Sequence, residues 1–167
     1  MLLDVSKIKN EPGGTLPFSV SLDLGDLDFS GCRAVVPVEA RGSVRNTAGV
    51  YVMSGEVTAL MQGLCDRCAK EVTRQMNFPL HAVLADELTG KEGEEDPWLF
   101  LLDGDQADLE DIVTTTFVLG MESKVLCSDE CKGLCPRCGK DLNLGPCDCR
   151  PEPDPRFAVL QQLLNDK

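Results

Sequence analysis

Cys127-Ser-Asp-Glu-Cys131-Lys-Gly-Leu-Cys135-Pro-Arg-Cys138-Gly-Lys-Asp-Leu-Asn-Leu-Gly-Pro-Cys147-Asp-Cys149 is a run with six thiols and few core-forming side chains. A segment this poor in apolar residues buries too little surface to offset the entropy of ordering it. Thiolates clustered around Gly139, Gly145 and Pro146 supply the alternative, a tetrahedral metal, with zinc the preferred ion. Cys135-Pro-Arg-Cys138-Gly-Lys has the form of a knuckle: two ligands three apart, then a glycine that lets the backbone turn its amides toward the sulfurs. Cys147 and Cys149 can close that tetrahedron from the other arm of a hairpin. Cys127 and Cys131 then need two more ligands, which Cys65-Asp-Arg-Cys68 offers. The expectation is two zinc sites of four thiolates each: Cys65, Cys68, Cys127 and Cys131 in one, Cys135, Cys138, Cys147 and Cys149 in the other. The first would staple the middle of the chain to its tail. One ordered site with a looser second is the alternative allocation.

Other thiol chemistries carry requirements of their own. Disulfides need an oxidising compartment, and Met1-Leu-Leu-Asp-Val-Ser-Lys shows no basic region followed by an apolar one, so the reading is cytoplasmic. A redox Cys-x-x-Cys belongs at a strand-to-helix turn, whereas the flanks of Cys65 and Cys68 read as strands on both sides. An iron–sulfur cluster also accepts four thiolates and remains open. Cys32, with no thiol nearby in sequence, reads as a small buried hydrophobe. The single histidine, His81, lies mid-strand without a local serine, cysteine or carboxylate arrangement and reads as a core or surface residue. No glycine-rich phosphate loop follows a strand. Four thiolates leave a metal no open position, which makes the sites structural, and the chain is not expected to be an enzyme.

The flanks set the fold class. Leu2 to Lys9 reads as a strand, or a strand and turn, ended by Glu11-Pro-Gly-Gly. Leu16, Phe18, Val20, Leu22 and Leu24 alternate with polar residues, the period of a half-buried strand. Longer strands are expected over Ala34 to Arg45 and Val50 to Gln62, joined by a hairpin turn in Arg45-Asn-Thr-Ala-Gly49. A further strand over Glu71 to Leu84 puts Cys65 and Cys68 at a hairpin tip. At 167 residues the chain is long enough for one core plus an appendage, and no apolar run approaches a membrane span. The fold class is α+β, mainly β: an antiparallel sheet or partly open barrel with a covering helix, then a cysteine-rich zinc module and a terminal helix. Residues 1–124 form the β domain and 125–167 the module with its helix.

Asp86 to Asp111 carries eleven acids against Lys91, so nearly all of the chain's net charge of −12 sits there. Gly90-Lys-Glu-Gly-Glu-Glu-Asp-Pro97 reads as a solvated loop; as a functional element it would attract a basic partner or repel nonspecific RNA. Trp98-Leu-Phe-Leu-Leu102 is a short apolar strand that can rejoin the sheet. A helix over 108–119 follows, capped by Asp108, with Leu109, Ile112, Val113, Thr116 and Phe117 on its core face. After the cysteines, Asp154 can cap and Pro155 can begin a terminal helix, with Phe157, Leu160, Leu163 and Leu164 along one side.

Cys65-x-x-Cys68, the run Cys127-x-x-x-Cys131-Lys-Gly-Leu-Cys-Pro-x-Cys-Gly-x-Asp-Leu-Asn-x-x-x-Cys147-x-Cys149, and Asp154-Pro-Arg-Phe before a leucine-rich end together resemble the YceD family of large ribosomal RNA subunit accumulation proteins. The resemblance covers most of the chain, and the Cys-Lys-Gly-Leu-Cys-Pro-x-Cys-Gly run is its most specific part. It implies a role in accumulation of 23S ribosomal RNA and in large-subunit assembly, with no catalytic act attached. Arg67, Lys132, Arg137, Lys140 and Arg150 lie near the thiols and are the candidate contacts for RNA phosphates on the large-subunit precursor. The alternatives are an acidic chaperone that shields a basic ribosomal protein and a thiol oxidoreductase.

Overall fold

A computed structural model describes residues 1–29, 31–86 and 97–149. The chain opens with a short strand, β1 (Leu2–Asp4), and a single helical turn, α1 (Ser6–Lys9). Then come β2 (Thr15–Leu22), β3 (Arg33–Ala34), β4 (Val38–Thr47), β5 (Val50–Leu64), β6 (Glu71–Ala85) and β7 (Leu99–Leu101). These six strands make one open sheet in the order β2-β4-β5-β6-β7, with β3 also on β5. The last elements are β8 (Gln106–Asp108), which pairs with β1, helix α2 (Leu109–Gly120) and a 3-10 turn over Leu142–Leu144.

Alternation decides which face is core. Val38, Ala40 and Val44 on β4, Met53, Val57, Ala59 and Met61 on β5, and Phe78, Leu80, Ala82 and Leu84 on β6 are all buried, while the residues between them are exposed or half-buried. α2 lies on that face. Its buried residues are Leu109, Ile112, Val113, Thr116 and Phe117, the stripe expected from helical spacing. The Phe117 ring meets Phe29 and Phe78 edge-on, with centroids 5.2 and 5.7 Å away. Asp108 caps the helix by accepting from the Glu110 N–H at 3.0 Å, and that bond holds its carboxyl below the usual carboxylate range.

The expected single strand from Ala34 to Arg45 is interrupted at Val35-Val36-Pro37. Ala34 pairs with Met61 and Glu39 with Thr58, so this side of the pairing carries two more residues than β5 across the break. Proline has no N–H to give the ladder, and a bulge there absorbs it. Because two residues are added, Ala34 and Val38 still face inward. The antiparallel expectation also needs correction at one edge, where β7 joins β6 in parallel.

The β4–β5 hairpin turns through Ala48 and Gly49 alone, both in the left-handed region at φ 54 and 94°. This is the positive-φ pair a two-residue hairpin demands. Asn46 has another task. Its buried amide donates to the Ile8 and Lys9 carbonyls, and its Oδ1 accepts from the Gly49 N–H at 2.9 Å, tying the turn to α1. An alanine at positive φ costs about 1–2 kcal/mol. Ala48→Asn, which creates the favoured Asn-Gly pair at an exposed position, should therefore stabilise the fold by about 1 kcal/mol, read as a rise in the urea midpoint.

Cys32 is 1% exposed, in line with a buried hydrophobe, and His81 is a surface residue. Among the described residues no helix is long and apolar enough to cross a membrane. The acidic stretch 87–96 and the expected terminal helix lie outside the described residues.

Candidate metal centres

Two short stretches share one sequence form, Cys65-Asp-Arg-Cys68-Ala-Lys70 and Cys135-Pro-Arg-Cys138-Gly-Lys140. They also share one backbone form. The Cys65 N–H donates to the Lys70 carbonyl at 2.8 Å and the Ala69 N–H to the Cys65 carbonyl at 2.8 Å; Cys135 with Lys140, and Gly139 with Cys135, repeat both bonds at 2.8 and 2.9 Å. The fifth residue of each must be left-handed to close the loop, Ala69 at φ 55° and Gly139 at φ 72°. β5 and β6 carry the first knuckle at the tip of their hairpin, a strand–strand setting. The second is closed by a bridge between Leu134 and Asp141.

Cys65, Cys68, Cys127 and Cys131 converge at the first knuckle, and Cys135, Cys138, Cys147 and Cys149 at the second; within each set all sulfurs lie within 4.8 Å of one another. Cys65 Sγ is 3.8 Å from Cys131 Sγ, and Cys68 Sγ is 3.6 Å from Cys127 Sγ. Sulfurs about 2.3 Å from a tetrahedral zinc would be about 3.8 Å apart, so the spacing suits one ion in their midst. The first centre is the more buried: Cys65, Cys68 and Cys131 are covered and Cys127 is exposed, whereas in the second only Cys135 is covered, Cys138 is exposed and Cys147 and Cys149 are intermediate.

The surroundings pull thiols of the same set in opposite directions. Burial opposes ionisation of Cys65, but N–H groups of Cys127, Arg67 and Cys68 outweigh it and bring the thiol down to about 6. The N–H groups of Cys138 and Arg137 likewise hold Cys135 at about 6. Neighbouring sulfurs do the reverse. Cys131 and Cys68 push Cys127 up to about 12, and Cys138 pushes Cys149 to about 12. Four sulfurs so close cannot all hold negative charge by themselves; a divalent cation among them removes the repulsion and displaces the remaining protons. The donor set and its amide surroundings fit a thiophilic metal.

Side chains between the knuckles fasten the arrangement. Asp66 accepts from the Val125 N–H at 2.6 Å and its own N–H donates to the Val125 carbonyl at 2.9 Å, docking the chain that leads to Cys127. Arg67 donates to the Cys131 carbonyl at 2.9 Å and the Asp129 carbonyl at 3.2 Å. Lys70 pairs with Asp141 at 2.8 Å. Asn143 donates to Cys131 Sγ at 3.5 Å and accepts from the Lys132 N–H at 2.8 Å. Sequence reasoning carried Asp141 and Asn143 only as positions of the family pattern and gave neither them nor Asp66 a role. The repeated Cys-x-Arg-Cys-x-Lys form was the available signal, since it marks two equivalent loops that can pack against each other.

Of the candidate RNA contacts, Arg67 is engaged with backbone carbonyls, and Lys140 donates to the Pro146 carbonyl at 2.7 Å, bracing the arm that bears Cys147. Lys132 and Arg137 are exposed beside the second knuckle, and Arg150 lies outside the described residues.

Comparison with known proteins places this arrangement. Uncharacterized proteins of Mycobacterium bovis and Mycobacterium tuberculosis are each 27% identical over 174 residues, covering 98% of this chain and 81% of the relative. An uncharacterized protein of Mycobacterium leprae is 24% identical over 171 residues, covering 98% of this chain and 77% of the relative. No solved structure gives a significant match. The family model described as large ribosomal RNA subunit accumulation protein YceD matches residues 53–164, a span that takes in most of β5, all of β6, the covering helix and all the clustered cysteines. The chain belongs to the YceD family.

Proposed function

We propose that this chain is a non-enzymatic, zinc-stapled assembly factor of the cytoplasm that supports accumulation of 23S ribosomal RNA during large-subunit assembly. The family description supports the ribosomal role. The observation that carries the molecular reading is the pair of four-sulfur sets with tetrahedral spacing. Zinc is the ion we assign to these closed four-thiolate sites, and four sulfurs leave it no coordination position for a substrate, so the metals act as structural staples. In this reading residues 1–124 are a β platform, and 125–167 are a module locked to its hairpin tip. Arg67, Lys132, Arg137, Lys140 and Arg150 contact RNA phosphates.

A tagged full-length chain drawn from growing cells and resolved on a sucrose gradient tests this. Retention on large-subunit precursors is expected, and Cys135→Ser with Cys138→Ser should abolish it while far-ultraviolet circular dichroism of the sheet persists. A chain that sediments free of any particle would overturn the reading. The acidity of Asp86 to Asp111 supports a second one, an escort for a basic ribosomal protein, whose signature is recovery of that single protein at the top of the gradient.

A further inference from the structure

The two cysteine sets are joined by a three-residue bridge that belongs to one and touches the other. Asp141 and Asn143 lie on the arm between Cys138 and Cys147, ligand positions of the second set. Asp141 Oδ1 accepts from the Asn143 N–H at 2.9 Å and from its side-chain amide at 2.7 Å, which sets the Asn143 rotamer. So oriented, the amide donates to Cys131 Sγ of the first set at 3.5 Å, and its oxygen takes the Lys132 N–H at 2.8 Å. Lys70, at the base of the first knuckle, meets the other Asp141 oxygen at 2.8 Å. The Leu142 N–H donates to the Gly133 carbonyl at 2.9 Å and seats this arm on the link from Cys131 to Cys135.

From this bridge we infer that the two metal centres are coupled, with Asn143 as the positioning residue: a metal in the second centre holds the arm closed and so presents the amide to Cys131, raising the metal affinity of the first. The inference rests on the metal-binding reading above. A donor on a metal-bound thiolate fixes the sulfur's direction and spreads its charge, and loss of such a partner costs roughly 10–100-fold in metal affinity. Each set has one exposed cysteine, Cys127 or Cys138, but only the first has the β5–β6 hairpin behind it, so the second leans more on its own ion for closure. Coupling between two sites is reciprocal, so the first ion tightens the second by the same factor.

Cobalt(II) titration of the full chain under reducing conditions tests the inference, with sulfur-to-cobalt absorption counting the filled sites and competition against a chelator giving affinities. The wild type should take up two cobalt ions. Cys138→Ser with Cys147→Ser, which removes the second centre, should weaken the first by about 10-fold or more, and Asn143→Ala should weaken the first similarly with two ions still bound. Adding Asn143→Ala to the double serine variant should then cost nothing further. Asn143→Asp keeps the acceptor for Lys132 but puts an anion beside both Cys131 and Asp141, and should weaken the first centre at least as much as alanine; two ions still bound by the alanine variant show that the arm has not simply misfolded. Two cobalt ions in the wild type with an unchanged first centre in both Asn143 variants, or with additive losses, overturns the coupling alone. A wild type that takes up fewer than two ions overturns the metal reading and the coupling together.

Discussion

Stripping the metal should release residues 125–149 from the sheet and leave the sheet folded. Without an ion, the polar contacts that hold that segment to the hairpin among the described residues are few: Asp66 with Val125, Arg67 with two carbonyls, the Leu134 N–H on the Arg67 carbonyl, and Lys70 with Asp141. Each hydrogen bond of this kind contributes about 0.5–1.5 kcal/mol net, and an exposed ion pair about 0–1 kcal/mol. A structural four-ligand zinc contributes on the order of 10 kcal/mol to the fold it closes. The buried side chains of residues 125–149 are Val125, Cys131 and Cys135, with Gly133 buried beside them, too few for a core. Hydrogen exchange should therefore show the amides of Leu134, Cys135 and Gly139 losing at least about 10³-fold protection in excess chelator, with the β4–β5–β6 ladder unchanged. Cys65→Ser should do the same for the first centre. Protection that survives chelation would mean the segment is held by packing.

Phe117→Ala should cost about 3–5 kcal/mol, a large share of a total stability of about 5–15 kcal/mol. Phe117 is fully buried where α2 crosses the sheet, and its ring is gripped edge-on by Phe29 from the β2–β3 connection and Phe78 from β6. With rings packed against it from two elements, the site can relax only partly into that volume. Urea unfolding followed by circular dichroism reads the loss, and Phe117→Leu should lose distinctly less. A change below about 1 kcal/mol for the alanine variant would show that α2 is not a keystone of the core.

Much of this was legible in the chain itself because its signals are local and periodic. Inward alternation along β2, β5 and β6 needs no partner to be read, and Asp108 announces the helix it caps. The eight cysteines fall into their two sets by spacing, since a knuckle leaves few ways to complete a tetrahedron. What was not legible depends on neighbours distant in sequence. The bulge at Val35–Pro37 follows from how β3 and β4 both register on β5, and the parallel course of β7 from where the chain returns beyond residue 96. Asn46 looked like a turn residue, yet it works from just before the turn by holding α1, far away in sequence. Arg67 and Lys140, read as candidate contacts for RNA phosphates, also donate to carbonyls that only the folded knuckles bring near.

Metal analysis combined with X-ray absorption at the zinc edge, on protein purified under reducing conditions without added metal, bears on all of this most directly. Two zinc ions per chain are expected, each in a shell of four sulfurs at about 2.3 Å. One ion or none, a shell containing nitrogen or oxygen, or iron in place of zinc would contradict the picture of two closed structural staples.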